Sequence, residues 1–221
     1  MIGFFDSGLG GYTVVREYRK LRPDDEILYT ADWDYCPYGG KPPGLVAARA
    51  RHITGQLIER GARVIVAACN TATAIAIDSL RADFPHASIV GMEPAVKPAL
   101  LATKTGVIGV LATANTFTGR LYKETSAKFG HGVKIVAAVG EGLVELVESG
   151  AFDGPPVRAA LERCLRPMLD AGADQIVLGC THYAFLKTAV AEIAGPATTI
   201  HDTSRAVAER AAALMAAGSP S

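Results

Sequence analysis

Two cysteines stand in matching company. Cys69 closes the run Gly61-Ala62-Arg63-Val64-Ile65-Val66-Ala67-Ala68 and is followed by Asn70-Thr71. Cys180 closes Gly172-Ala173-Asp174-Gln175-Ile176-Val177-Leu178-Gly179 and is followed by Thr181-His182. The two stretches align without a gap, with Gly-Ala at the same distance before each thiol. A cysteine alone is most simply a small buried hydrophobe. Placed twice where a strand gives way to a helix, it acquires a chemical use, because a helix N-terminus carries partial positive charge and free N–H donors that favour a thiolate. One such thiol can take a proton from a ligand and the other can return one to its opposite face. Cys36 and Cys164 lack this setting: Cys164 lies on an amphipathic stretch and reads as core, and Cys36 falls in a loop.

Other residues gather around the pair. Asp6-Ser7-Gly8-Leu9-Gly10-Gly11 follows the first apolar run. Its glycines let backbone approach a ligand, and the helix after it can face a carboxylate or phosphate. The plainer reading is a tight strand-to-helix turn with Asp6 as a cap. At a strand end near a cysteine, Asp6 is equally suited to orient or accept a proton. His182 lies two residues past Cys180, where an imidazole raises the thiolate fraction. His52, His86, His131 and His201 have no such neighbour in sequence. Metal is not expected, since Cys180-Thr181-His182 lacks the paired ligand spacing of a tetrahedral zinc site. The phosphate loop Gly-x-x-x-x-Gly-Lys-Ser/Thr is absent. The glycines at 8, 10 and 11 miss the dinucleotide spacing, and Asp32 is at best a loose match for its acidic partner, so a nicotinamide cofactor is discounted.

These residues must be positioned by alternating strands and helices. Short apolar, β-branched runs predict strands at 2–5, 27–31, 64–68, 88–91, 106–111, 133–137, 175–178 and 198–200. Helical patterns fill 10–22, 45–60, 72–82, 94–102, 115–129, 142–148, 155–171, 184–194 and 204–216. This alternation implies an α/β protein with mostly parallel sheets flanked by helices. The repeat extends beyond the cysteines: Ile2-Gly3-x-x-x-Ser7 resembles Ile108-Gly109-x-x-x-Thr113. Two pseudo-symmetric domains are therefore expected, residues 1–92 plus 202–221 and residues 93–201, with a seam near Met92-Glu93-Pro94. The last helix is expected to pack on the first domain, and Gly218-Ser219-Pro220-Ser221 to fray. Ligands of such sheets bind beyond strand C-termini. The expected site is a cleft between the domains, lined by residues 6–8, 69–71 and 180–182.

Bulk properties narrow the ligand. Lys plus Arg equal Asp plus Glu at 22 each. No basic stripe for nucleic acid is present, which favours a small molecule. No apolar run approaches the ~20 residues of a membrane span, and Asp6 interrupts the first run too soon for a signal peptide. A cytoplasmic location with reduced cysteines is expected.

Five segments, taken in order, resemble the glutamate racemases of the aspartate/glutamate racemase superfamily: Phe5-Asp6-Ser7-Gly8-Leu9-Gly10-Gly11, Pro37-Tyr38-Gly39, Ala68-Cys69-Asn70-Thr71-Ala72-Thr73, Val147-Glu148-Ser149-Gly150 and Gly179-Cys180-Thr181-His182-Tyr183. The likeness covers nearly the whole chain. It implies two pseudo-symmetric α/β domains with the site between them, and interconversion of L- and D-glutamate by two thiols without a cofactor, supplying peptidoglycan. It further implies that Cys69 deprotonates D-glutamate with help from Asp6, and that Cys180 deprotonates L-glutamate with help from His182. Glu148 is implied as a helper near the first cysteine. Ser7, Tyr38, Gly39, Asn70, Thr71, Thr113, Thr116 and Thr181 are implied in substrate binding, with Asp6 and His182 beside them. A homodimer is the family's common assembly. The segment before Pro37 departs from the family's Gly-Asp-Thr-Ala-Arg type and reads Ala31-Asp32-Trp33-Asp34-Tyr35-Cys36. Val139-Gly140-Glu141-Gly142 likewise replaces a Cys-Pro segment. Such changes bear on substrate choice more than on reaction type.

Three alternatives stay open on the sequence. The substrate is aspartate or another amino acid; or a single cysteine acts as nucleophile with His182 in amide or ester hydrolysis; or the chain binds an amino acid without turning it over. Unequal helpers around equal thiols also suggest that the two directions of a racemisation need not have matched rates.

Overall fold

The computed structural model describes residues 1–218; the remainder of the expected frayed tail lies outside the described residues. In chain order the elements are β1 (Ile2–Asp6), α1 (Tyr12–Leu21), β2 (Ile27–Ala31), α2 (Pro43–Glu59), β3 (Val64–Ala67), α3 (Asn70–Asp83), β4 (Ser88–Val90), α4 (Val96–Ala102), β5 (Val107–Ala112), α5 (Ala114–Thr118), α6 (Arg120–Phe129), β6 (Lys134–Val139), α7 (Leu143–Glu148), α8 (Pro155–Asp170), β7 (Gln175–Gly179), α9 (Lys187–Ala194), β8 (Thr199–His201) and α10 (Ser204–Ala217). Short 3-10 helices span Trp33–Tyr35 and Thr181–Leu186. Every predicted strand forms, within a residue or two of its expected ends. The stretch expected as one helix over 115–129 is instead broken at Gly119, whose extended backbone (ψ 143°) separates α5 from α6.

The chain divides into two compact units, Met1–Met92 with the segment from Thr203 onward, and Glu93–Asp202. Each holds a four-stranded, wholly parallel sheet, ordered β2-β1-β3-β4 in the first and β6-β5-β7-β8 in the second. The order is the same permutation in both. The central strands β1, β3 and β7 are buried along their whole length, as strands covered on both faces must be.

Alternate side chains of the first sheet serve two helix layers. Ile2, Phe4, Val64 and Val66 pack with Val14 and Tyr18 of α1 and with Val207, Ala208, Ala211 and Met215 of α10. On the opposite face Gly3 leaves room for α2: an added Cβ would stand 3.2 Å from Leu57 Cβ. The second unit repeats the device. Ile108, Val110 and Val177 pack with Val96, Ala99 and Leu100 of α4, while at Gly109 a Cβ would come within 2.5 Å of Met168 Sδ on α8. The repeated Ile-Gly pair thus marks where one helix packs tightly on each sheet. All four cysteines are free thiols. Among the described residues no helix is long and apolar enough to cross a membrane.

Asp174 ties the start of β7 to the segment before β5, accepting from the Thr103 hydroxyl at 2.6 Å and the Lys104 N–H at 2.7 Å. Burial works to raise its carboxyl, but these bonds, with others from Gln175 and Thr105, outweigh it and hold the pKa down to about 2. An ordinary aspartate titrates near ~3.9. The stabilisation is therefore complete at neutral pH and is lost as pH falls from about 4 through about 2. Asp174→Asn is expected to flatten that part of the acid limb in urea titrations at stepped pH. An unchanged limb would show that these bonds do not couple to folding.

Candidate active site

The parallel pairing of β1 with β3 sets the first half of the site. Phe5 registers with Ala67, so the strands end side by side, Asp6-Ser7 on one and Ala68-Cys69 on the other. In this strand order the connections leave β1 and β3 in opposite directions, which is where an open parallel sheet accepts ligands. Asp6 is wholly buried and its Oδ2 accepts the Gly11 N–H at 2.7 Å. Only glycine fits at residue 11, since a Cβ would press on Tyr29 Oη, Asp6 Cβ and Ala68 Cβ at 2.8–3.1 Å. Ser7 is buried beside Asp6, and the Cys36 thiol reaches Ser7 Oγ at 4.0 Å.

Cys69 is extended (φ −139°, ψ 118°) and occupies the N-cap of α3, a helix of 14 residues. It is buried, as are Asn70 and Thr71 in the first turn. The helix begins two residues earlier than predicted, directly after the thiol, so its N-terminal amides and dipole meet Cys69. Asn70 donates its Nδ2 to the Met92 carbonyl at 3.4 Å. Its buried Oδ1 has no hydrogen-bond partner among the described residues and is available to a ligand's N–H. Thr73, not singled out from the sequence, anchors this turn. Its hydroxyl donates to the Ala67 carbonyl at 3.2 Å and accepts the Met92 N–H at 2.9 Å.

The second unit builds the same frame with other chemistry. Ala112 registers with Gly179, placing Thr113 beside Cys180 at the ends of β5 and β7. Thr113 and Thr116 share a hydrogen bond at 2.9 Å, both buried. Cys180 is again extended and buried, but it caps the 3-10 helix Thr181–Leu186 rather than an α-helix. The expected helix from residue 184 starts at Lys187. The tight turn lets His182 fold back, with Nδ1 at 3.8 Å from Cys180 Sγ and Nε2 at 2.5 Å from Glu148 Oε1. His182 is 1% exposed. Glu148, expected as a helper near the first cysteine, is carried by α7 to His182, completing a thiol–imidazole–carboxylate chain with Cys180. Tyr183 braces the turn by donating to the Gly140 carbonyl at 3.1 Å. Burial, followed by the charge of Cys180, pushes its phenol well above the ordinary range, so it stays a neutral donor.

Every predicted site residue thus lies at or just beyond a strand C-terminus or in the Pro37-Tyr38-Gly39 turn. Asp6, Ser7, Cys69, Asn70 and Thr71 gather in one unit, and Thr113, Thr116, Cys180, Thr181 and His182 in the other.

Residues 14–211 match the model of the Asp/Glu/Hydantoin racemase family. A glutamate racemase of Herpetosiphon aurantiacus is 47% identical over 216 residues, covering 98% of this chain and 85% of that protein. The crystal structure of Escherichia coli glutamate racemase in complex with L-glutamate and the activator UDP-MurNAc-ala superposes with a TM-score of 0.89 at 34% identity, over 99% of this chain and 84% of that one. The glutamate racemase of Francisella tularensis in complex with D-glutamate does so with a TM-score of 0.84 at 27% identity, over 98% and 81%. The chain belongs to the Asp/Glu/Hydantoin racemase family and is an amino-acid racemase.

Thr73→Val is expected to destabilise the first unit by about 1–3 kcal/mol, because it leaves the Met92 N–H unsatisfied. Thr73→Ser keeps the hydroxyl and should stay within about 1 kcal/mol of wild type. Equal urea midpoints for the two variants would remove Thr73 from the anchoring role.

Proposed function

We propose that the chain interconverts L- and D-glutamate without a cofactor, using Cys69 and Cys180 as its two bases. One observation carries this: in each unit a buried thiol follows a central parallel strand at the N-cap of the next helical turn, Cys69 after β3 and Cys180 after β7. A site that needed one nucleophile would have no use for the second copy. The relationship to glutamate racemases solved with L-glutamate and with D-glutamate supports glutamate as the substrate.

In the proposed reaction the Cys180 thiolate removes the α-proton of L-glutamate. The electron pair left on Cα spreads into the α-carboxylate, and the Cys69 thiol delivers its proton to the opposite face. D-glutamate leaves with Cys69 ionised and Cys180 protonated, so one proton must return before the next L-substrate. The reverse direction starts from Cys69. Each transfer requires sulfur and carbon within about 3–3.5 Å. His182, backed by Glu148, takes up and returns the proton of Cys180. Asp6 serves Cys69, which also meets the N-terminus of α3. An α-C–H is a very weak acid, so the carboxylate where charge develops needs fixed donors in a site closed to water. Ser7, Asn70, Thr71, Thr113, Thr116, Thr181 and the backbone at Tyr38 and Gly39 are the donors proposed. Asn70 Oδ1 would accept from the substrate ammonium. By the same resemblance the D-glutamate feeds peptidoglycan synthesis in the cytoplasm, and the chain works as a homodimer.

The test is α-proton exchange in deuterium oxide with each enantiomer, followed by NMR and circular dichroism. Wild type is expected to racemise glutamate and incorporate deuterium at Cα. Cys69→Ala and Cys180→Ala should each abolish racemisation in both directions. Full activity in either single variant would contradict the two-base reading. Preference for aspartate or another member of an amino-acid panel would contradict the substrate.

A further inference from the structure

The first unit holds a second buried carboxylate, Asp32, that the proposed proton transfers do not use. It is 6% exposed. Its own N–H donates to the Asp6 carbonyl at 3.0 Å, which pins it to the strand end carrying the site. Arg49 of α2 grips the carboxylate with both arms of its fork, Nη2 to Oδ1 at 2.7 Å and Nε to Oδ2 at 3.0 Å. The Tyr38 hydroxyl donates to the same Oδ2 at 2.5 Å.

Two consequences follow. Arg49 is not open to a substrate carboxylate, because its fork is committed to Asp32 and its face lies over the Tyr35 ring, 4.3 Å from the centroid. The second consequence concerns Tyr38. Its ring is 1% exposed and its hydroxyl is held by Asp32. Burial, the bond to Asp32, and then the charges of Asp32 and Cys69 all raise its pKa, so it remains a donor. The Tyr38 carbonyl accepts the Lys41 N–H at 3.1 Å, which closes the turn behind Gly39.

α2 also docks through an apolar face, with Val46, Ala50, Ile53 and Leu57 buried. A buried ion pair is poor at adding stability but good at fixing one geometry, above all when the cation is a bidentate arginine. We propose that Asp32 and Arg49 are positioning residues for racemisation: their pair clamps the Tyr38 hydroxyl and so presents the Tyr38-Gly39 backbone to a substrate carboxylate. This rests on the reading of the chain as a glutamate racemase.

The test compares wild type with Tyr38→Phe, Arg49→Lys and the double variant, using the full chain and both enantiomers. Tyr38→Phe keeps the ring and removes only the hydroxyl. Arg49→Lys keeps the charge and loses the fork. Each is expected to raise KM for L- and D-glutamate by the same factor, about tenfold, with the change carried by KM rather than kcat. The double variant should be no worse than the weaker single, because both break one clamp. A melting temperature recorded alongside separates positioning from a structural role, which would lower stability and leave KM unchanged. Wild-type turnover with an unaltered KM in Tyr38→Phe would overturn this inference alone, as would multiplicative effects in the double variant. Absence of glutamate turnover in wild type would overturn the reading beneath it as well.

Discussion

Everything at the site depends on how two parallel strands end side by side. The pairing of β1 with β3, and of β5 with β7, fixes which residues can share a ligand. A shift of one residue in either register would turn every side chain to the other face and move the thiol away from its neighbour. The repeated glycines at 3 and 109 protect those registers by letting one helix settle closely on each sheet. The crowded contact at Gly11 does the same for the turn that holds Asp6. Burial of the strands on both faces makes the arrangement rigid, which proton transfer to and from carbon requires more than it requires any one strong contact.

On this common frame the two halves handle charge differently. Cys69 meets a full α-helix, and the neighbouring strand of its sheet ends in a buried aspartate, Asp6. Cys180 meets a short 3-10 turn and an imidazole held by a carboxylate. Unequal helpers do not free the two directions of a racemisation from each other. The enantiomers have equal free energy in water, so kcat/KM must be the same from either side, whatever the helpers are. The expectation of unmatched rates narrows accordingly: asymmetry can appear in kcat and KM taken separately, and in which proton transfer limits the rate.

Much of this was legible in the sequence because it is local. Strands declared themselves through short β-branched runs, and the cysteines through the repeat of those runs. What stayed hidden is long-range or depends on tight backbone geometry. Glu148 meets His182 across 34 residues, and no spacing rule foretells that pairing. Asp32 looked at most like a loose ribose ligand, yet Arg49, 17 residues on, commits it to a different task. The helix expected to follow Cys180 is a 3-10 turn held by Tyr183 against Gly140, a contact between segments 43 residues apart. Gly119 interrupts a stretch whose apolar period runs on unbroken, since periodicity reports the buried face and not the backbone at one residue. The fold class therefore follows from pattern, whereas the His182–Glu148 and Asp32–Arg49 pairings follow from tertiary packing.

The claim that two thiols divide the reaction is tested most directly by primary isotope effects in variants of the two helpers. With Glu148→Gln, the transfer at Cys180 should become the slower of the two. The effect measured with L-[2-²H]glutamate should then rise, and that with D-[2-²H]glutamate should fall. Asp6→Asn should give the opposite crossing. Parallel changes for both enantiomers in both variants would mean that one base serves both faces, and would contradict the assignment of Cys180 to L-glutamate and Cys69 to D-glutamate.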